Sequence, residues 1–276
     1  MKFDVITVEL PNRVKLQYVE QGNSSGIPLI LLHGYVDSWR SFERVLSYLP
    51  ESIRAFTLTQ RGHGDASLPE AGYRPLDFET DLAEFMDALE LKSAVIAGGS
   101  SGGIIARRFA IDYPNRISGL ILFGTPLTMQ NKPGVLDIWN STISNLKDPV
   151  DPDFVREFAE SMLARPVPKG FLKTMIRENL KVPARVWTAT LKGLLEDDSS
   201  EQINRIKTST LIVWGDKDTT VPRSDQETML ERIVNSRLVV YPGAGHALYW
   251  EEPAHVAADI SAFIETLDLK AAREQK

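Results

Sequence analysis

The segment Ala94-Val95-Ile96-Ala97-Gly98-Gly99-Ser100-Ser101-Gly102-Gly103-Ile104-Ile105-Ala106 runs from an apolar stretch through small residues straight into a helical pattern. A serine on such a sharp strand-to-helix turn presents its hydroxyl at the end of the sheet, and small residues two positions either side let neighbouring backbone approach. The chemistry this allows is nucleophilic attack on a carbonyl by an activated serine. Two frames fit: Gly98-Gly99-Ser100-Ser101-Gly102 and Gly99-Ser100-Ser101-Gly102-Gly103. Ser100 is preferred, because the apolar run ends at Ala97, Gly98 then opens the turn, and Gly102-Gly103 fall in the first helical turn. Taken alone, the segment is also compatible with a glycine-rich turn carrying a capping serine.

The remaining composition narrows the chemistry. The chain has no cysteine, which removes thiol nucleophiles, disulfides and cysteine-ligated metals and suits a reducing compartment. Of its four histidines, none pairs with another at metal-ligand spacing, so no metal site is expected. The glycine cluster lacks the Gly-x-Gly-x-x-Gly spacing of a dinucleotide loop, and no cofactor is expected either. A net charge of −6 without a basic run makes a poor partner for nucleic acid or anionic lipid. The N-terminus alternates polar and apolar residues, unlike a signal peptide, and no apolar stretch approaches the roughly 18 residues of a membrane span. A cytoplasmic protein with a small-molecule substrate is the expectation.

The elements that must position Ser100 are legible around it. Phe3–Leu10 and Val14–Glu20 alternate at period two about Pro11-Asn12, a hairpin pattern. Pro28–Leu32, Ile53–Thr59, Ala94–Ala97, Ile117–Phe123, Leu211–Trp214 and Leu238–Tyr241 are short apolar runs that suit strands buried on both faces. Helical patterns lie between them at Ser41–Leu49, Leu76–Glu90, Gly103–Tyr113, Asp225–Val234 and Pro253–Leu267. Strands alternating with helices predict an α/β fold with a mostly parallel sheet covered on both faces.

The alternation breaks over residues 126–205, where helices are expected at Leu136–Asn145, Pro152–Leu163, Gly170–Leu180 and Ala184–Leu195. Large apolar residues such as Trp139, Phe154, Phe158, Met162, Phe171 and Trp187 need something to pack against, so this stretch reads as a helical insertion rather than a linker. The core is then residues 1–125 and 206–276. The final LKAAREQK reads as a fraying helical tail.

With these residues in view, nearly the whole chain resembles the α/β-hydrolase superfamily, specifically its lid-bearing serine esterase-like members. Besides the serine turn, four segments match in order: Leu29–Trp39 (LILLHGYVDSW), Arg61-Gly62-His63-Gly64, Leu211–Pro222 (LIVWGDKDTTVP) and Tyr241–Pro253 (YPGAGHALYWEEP). The resemblance implies an eight-stranded sheet with a helical lid, and a triad in the chain order serine, acid, histidine. His246 would take the proton from Ser100, and Asp218 would fix the tautomer of His246 and stabilise its charged form. Asp216 competes for the acid role. The family's Gly-x-x-Asp pattern after Gly215 favours Asp218, and Thr125 occupies the alternative acid position.

The resemblance also places an oxyanion hole at the backbone amides of Tyr35 and Ser101. Gly34, Tyr35, Trp139 and Trp187 are the candidate substrate contacts, expected to hold an apolar acyl or alcohol part. His33 and His63 are read as shaping loops, and His255 as a surface or capping residue. Two departures stand out: Thr59 replaces an aspartate often found before the Arg-Gly-x-Gly turn, and Gly99 replaces a larger neighbour of the nucleophile, which is expected to leave more room beside Ser100.

A serine nucleophile disfavours dehalogenase and epoxide-hydrolase chemistry, which use an aspartate there, and the insertion contains no lid tyrosine. The expected activity is hydrolysis of a carboxylic ester or lactone through an acyl-enzyme. Carbon–carbon bond hydrolysis, perhydrolysis and a ligand-binding sensor with slow turnover are alternatives that use the same residues.

Overall fold

The computed structural model describes residues 3–130 and 132–274. Met1, Lys2, Asn131 and the last two residues of the expected tail lie outside the described residues. Eight strands form one sheet: β1 (Val5–Glu9), β2 (Lys15–Gln21), β3 (Ile27–Leu32), β4 (Ile53–Thr59), β5 (Ala94–Gly99), β6 (Ile117–Phe123), β7 (Thr210–Gly215) and β8 (Ser236–Tyr241). Their order across the sheet is β1-β2-β4-β3-β5-β6-β7-β8. The β1–β2 hairpin pairs antiparallel, β2 runs antiparallel to β4, and every later pairing is parallel. β8 is an edge strand and most of it is half-buried, which is why it carries polar residues such as Ser236 and Arg237 that β5 lacks.

Among the described residues ten α-helices accompany the sheet. They are α1 (Glu43–Leu46), α2 (Pro75–Ala88), α3 (Ser101–Asp112), α4 (Pro133–Ser141), α5 (Pro152–Ser161), α6 (Lys169–Asn179), α7 (Ala184–Glu196), α8 (Arg223–Arg232), α9 (Leu248–Glu251) and α10 (Pro253–Glu274). Successive strand residues point to opposite faces, and the two hydrophobic clusters follow that alternation. Ile30, Leu32, Ile96, Leu120 and Leu122 meet Phe85 of α2 and Phe109 of α3 on one face. Leu29, Leu31, Val95, Ile121 and Phe123 meet Val45 of α1 and Ile260 of α10 on the other. Both faces are thereby dry, as continuous apolar runs require.

Helices α4–α7 occupy the interval between β6 and β7 where the strand pattern lapses. They are joined to the core by apolar packing: Val155, Val186 and Trp187 belong to one cluster and Met175 to the other. Trp187 is fully buried, with ring centroids of Tyr35, Phe154 and Phe158 within 5.2–5.6 Å of its own. Among the described residues no helix is long and apolar enough to cross a membrane.

Removing the Trp187 indole leaves a cavity that its neighbours cannot fill. Trp187→Ala is expected to lower the unfolding free energy by about 3–5 kcal/mol. Urea denaturation followed by circular dichroism measures this, and a loss below about 1 kcal/mol would contradict the packing described.

Candidate active site

Every loop that carries a candidate residue leaves the carboxyl end of a parallel strand, where α/β sheets gather their chemistry. β5 ends at Gly99, and Ser100 follows with φ 51° and ψ −119°. A left-handed conformation for a non-glycine residue costs on the order of 1–3 kcal/mol and persists only where its surroundings fix it. Here the Ser100 amide donates to the Phe123 carbonyl at 2.8 Å, and the Gly103 amide donates to the Ser100 carbonyl at 2.9 Å. A side chain on Gly98 would run into the backbone of Gly102, and one on Gly102 into the carbonyls of Leu32 and His33. The glycines are therefore required by close approach of α3 to β3 and β5, and this approach aims the first turn of α3 at the serine.

The structure brings Ser100, His246 and Asp218 into one line. His246 Nε2 lies 2.9 Å from Ser100 Oγ, and His246 Nδ1 lies 2.8 Å from Asp218 Oδ2. The other oxygen of Asp218 accepts from the amides of Thr220 and Val221, both at 2.8 Å. Only the outer nitrogen of His246 is then left to accept a proton from the serine. The imidazole is 5% exposed, and the Asp218 carboxylate is fully covered. Asp216 is exposed, and its carboxylate accepts from the Gly243 amide at 2.6 Å, on the turn rather than on His246. Glu251 steadies the histidine loop from behind. One of its oxygens accepts from the Gly245 amide at 2.9 Å and the other from the amides of Ala164 and Arg165 in the insertion.

Ser101 is the first residue of α3, and Tyr35 lies in the loop after β3. That loop is held under strain: Val36 has φ 61°, an unusual conformation for a β-branched residue. Asn179, at the end of α6, fixes it by donating to the Val36 carbonyl at 2.7 Å and to Asp37 Oδ1 at 3.1 Å. His33 closes the same loop on its inner side. Its Nδ1 must donate to the Gly34 carbonyl at 2.8 Å, so Nε2 accepts from the Gln60 amide at 3.0 Å. Burial pushes the His33 pKa well below its usual value, which keeps the ring neutral and this pattern intact. His63, held neutral by burial at a pKa of about 4, bonds the Arg61 carbonyl at 2.7 Å. His255 stacks on Tyr241 with centroids 4.1 Å apart, away from the site.

A cavity of about 580 Å³ opens over Ser100 and His246. Gly34 and Tyr35 line it, but Trp139 and Trp187 do not. Trp187 lies behind Tyr35 and Phe158, which both line the cavity, and the Tyr35 hydroxyl donates to the Trp187 carbonyl at 2.5 Å. The insertion contributes instead Ile138, Ile143, Phe158, Met162 and Leu191. The size of an aromatic residue does not say which side of a helix faces the cavity: Ile138 precedes Trp139, and Leu191 lies one turn beyond Trp187. Nor is there free space beside Gly99, because the ring of Tyr249 fills it.

Asp37, Glu251 and Tyr249 are the neighbours of the site that sequence reasoning missed. Asp37 carries the physical signal of a tuned group: burial raises its pKa to about 6, against the opposing hydrogen bonds of Ser41 and Asn179 and the charge of His246. Because the folded chain holds this proton more tightly than the unfolded one, Asp37 favours folding most below pH 4. That contribution is lost as pH rises from about 4 to beyond about 6, by on the order of 3 kcal/mol. Asp37→Asn is therefore expected to raise the Tm at pH 8 and to give a shrinking difference toward pH 4.5. An equal difference at both pH values, by scanning calorimetry, would contradict this account.

Comparison with known proteins agrees with the fold. Residues 27–253 match the sequence model of the alpha/beta hydrolase fold family. Lipase 3 of Moraxella sp. (strain TA144) is 29% identical over 278 residues, which cover 96% of this chain and 85% of the lipase. The solved esterase from Exiguobacterium antarcticum superposes with a TM-score of 0.84 at 23% identity, covering 94% of this chain and 98% of the esterase. A bromoperoxidase from Bacillus anthracis superposes with a TM-score of 0.86 at 23% identity, covering 95% and 100%. The two structural likenesses speak for the fold, and the family match extends over most of the chain. The chain belongs to the α/β-hydrolase fold family of enzymes.

Proposed function

We propose that the protein is a serine hydrolase of carboxylic esters or lactones with an apolar acyl or alcohol part. The observation that carries this reading is the placement of His246 between Ser100 Oγ at 2.9 Å and Asp218 at 2.8 Å. Ser100 Oγ attacks the carbonyl carbon while its proton passes to His246 Nε2. Asp218 keeps the imidazole in the accepting tautomer and stabilises the imidazolium. The negative charge that builds on the carbonyl oxygen is held by the amides of Tyr35 and Ser101, at the mouth of the α3 dipole. Collapse of this intermediate expels the alcohol, which takes the proton back from His246. Water, activated by the same imidazole, then cleaves the acyl-enzyme to release the acid and regenerate Ser100.

Residues 126–205 serve as the lid, and their apolar contribution to the cavity supports an apolar substrate of small to medium size. The missing cysteines favour the cytoplasm as the compartment. Perhydrolysis, with hydrogen peroxide in place of water at the second step, and carbon–carbon bond hydrolysis are the alternatives that the same triad allows.

A short-chain chromogenic ester, a lactone and a vinylogous diketone assayed in parallel separate these activities. Ester or lactone turnover is expected to fall on the order of 10⁵-fold or more in Ser100→Ala. Asp216→Asn, on the exposed turn, is expected to keep most of it. Turnover that survives Ser100→Ala, or appears with the diketone alone, would overturn the proposal.

A further inference from the structure

Tyr249 stands where the small residue beside the nucleophile leaves space. A Cβ on Gly99 would lie 2.7 Å from Cε1 and Cζ of Tyr249 and 2.8 Å from its hydroxyl, so the glycine and this tyrosine are complementary. The ring is 2% exposed and stacks on Phe42 with centroids 4.7 Å apart and planes at 24°, and Phe123 packs nearby. It starts three residues after His246, on the short helix α9. A side chain held so firmly has a hydroxyl with one available direction.

That direction is the reaction centre. A Cβ on Gly34 would stand 3.4 Å from the Tyr249 hydroxyl and 3.4 Å from Ser100 Cβ, which puts the phenol beside the serine on the side of the Gly34–Tyr35 peptide. Gly34, Ser100, His246 and Tyr249 line the same cavity. Among the described residues the hydroxyl has no hydrogen-bond partner. The nearby Asp37 oxygens already accept from Ser41 at 2.8 Å and Asn179 at 3.1 Å. Burial, with the charges of Asp37 and Asp218, pushes the phenol pKa well up, so the group keeps its proton and acts as a donor rather than a base.

We propose that the Tyr249 hydroxyl is a catalytic residue, a third donor to the substrate carbonyl oxygen beside the amides of Tyr35 and Ser101. It donates a hydrogen bond that strengthens as negative charge moves onto that oxygen, and no proton is transferred from it. This inference rests on the acyl-enzyme reading of Ser100. It also explains why glycine at 99 is needed in this chain: any side chain there would displace the donor.

Tyr249→Phe removes one oxygen and keeps the ring that packs on Phe42. With a p-nitrophenyl ester, kcat is expected to fall about 10–100-fold with KM little changed and Tm nearly that of the parent. A trifluoromethyl ketone, which forms a tetrahedral anion on the serine, is expected to bind more weakly by a similar factor. A purely structural tyrosine would lower Tm and leave kcat and inhibitor affinity unchanged, which would overturn the proposal. So would a rise in KM with kcat unchanged, the sign of a contact made equally before the transition state. If a fluorophosphonate labels Ser100 in the parent and Tyr249→Phe turns over normally, this inference alone fails. If Ser100 is not labelled, the underlying reading fails with it.

Discussion

The geometry of the site depends on how closely α3 approaches the ends of β3 and β5. Glycines at 98 and 102 allow that approach, and Ser100 is forced to φ 51° because the chain must reverse from strand to helix within one residue. The strain is held by the sheet, since the Ser100 amide donates to Phe123 at the end of β6. The elbow therefore costs the fold stability and returns position: the hydroxyl stands clear of the sheet, and the α3 amides are oriented before any substrate arrives. Such prior orientation is what lets hydrogen-bond donors favour a transition state over a ground state.

A second constraint comes from the insertion, which grips both working loops. Asn179 holds the strained turn at Val36, the Trp187 carbonyl takes the Tyr35 hydroxyl, and Glu251 joins the histidine loop to the amides of Ala164 and Arg165. The Ala247 amide also donates to the Met162 carbonyl at 3.0 Å. The residues that cover the cavity thus also fix the loops beneath it. α6 and α7 thus bear on the loop after β3 through the Asn179 side chain and the Trp187 carbonyl.

Local chemistry was readable from the sequence and side-chain direction was not. The elbow, the turn holding Asp218 and the loop holding His246 are short segments whose glycines and charged residues sit at fixed offsets from buried strands. Their convergence follows once a parallel sheet is assumed. Ser100 over Ser101 and Asp218 over Asp216 are distinctions of one or two residues. The first rests on where the apolar run ends, and the second on resemblance to the family's Gly-x-x-Asp pattern. The substrate contacts differ, because facing the cavity depends on how α4 and α7 rotate against the core. Trp139 and Trp187 stood out by size, yet Ile138 and Leu191 hold the lining positions. Tyr249 and Asp37 gave no signal, since a buried hydroxyl or carboxyl becomes informative only when its neighbours are known. Gly99 was half a signal: the missing side chain was plain, and the ring that takes its place was not.

In the proposed mechanism the elbow makes Ser100, and no other side chain, the nucleophile. Peptide mapping by mass spectrometry after treatment with a fluorophosphonate tests it most directly. One phosphonyl mass per chain is expected, on Ser100, formed rapidly in the folded protein and absent after unfolding. A mass on Ser101, or a folded protein that takes up no label, would contradict it.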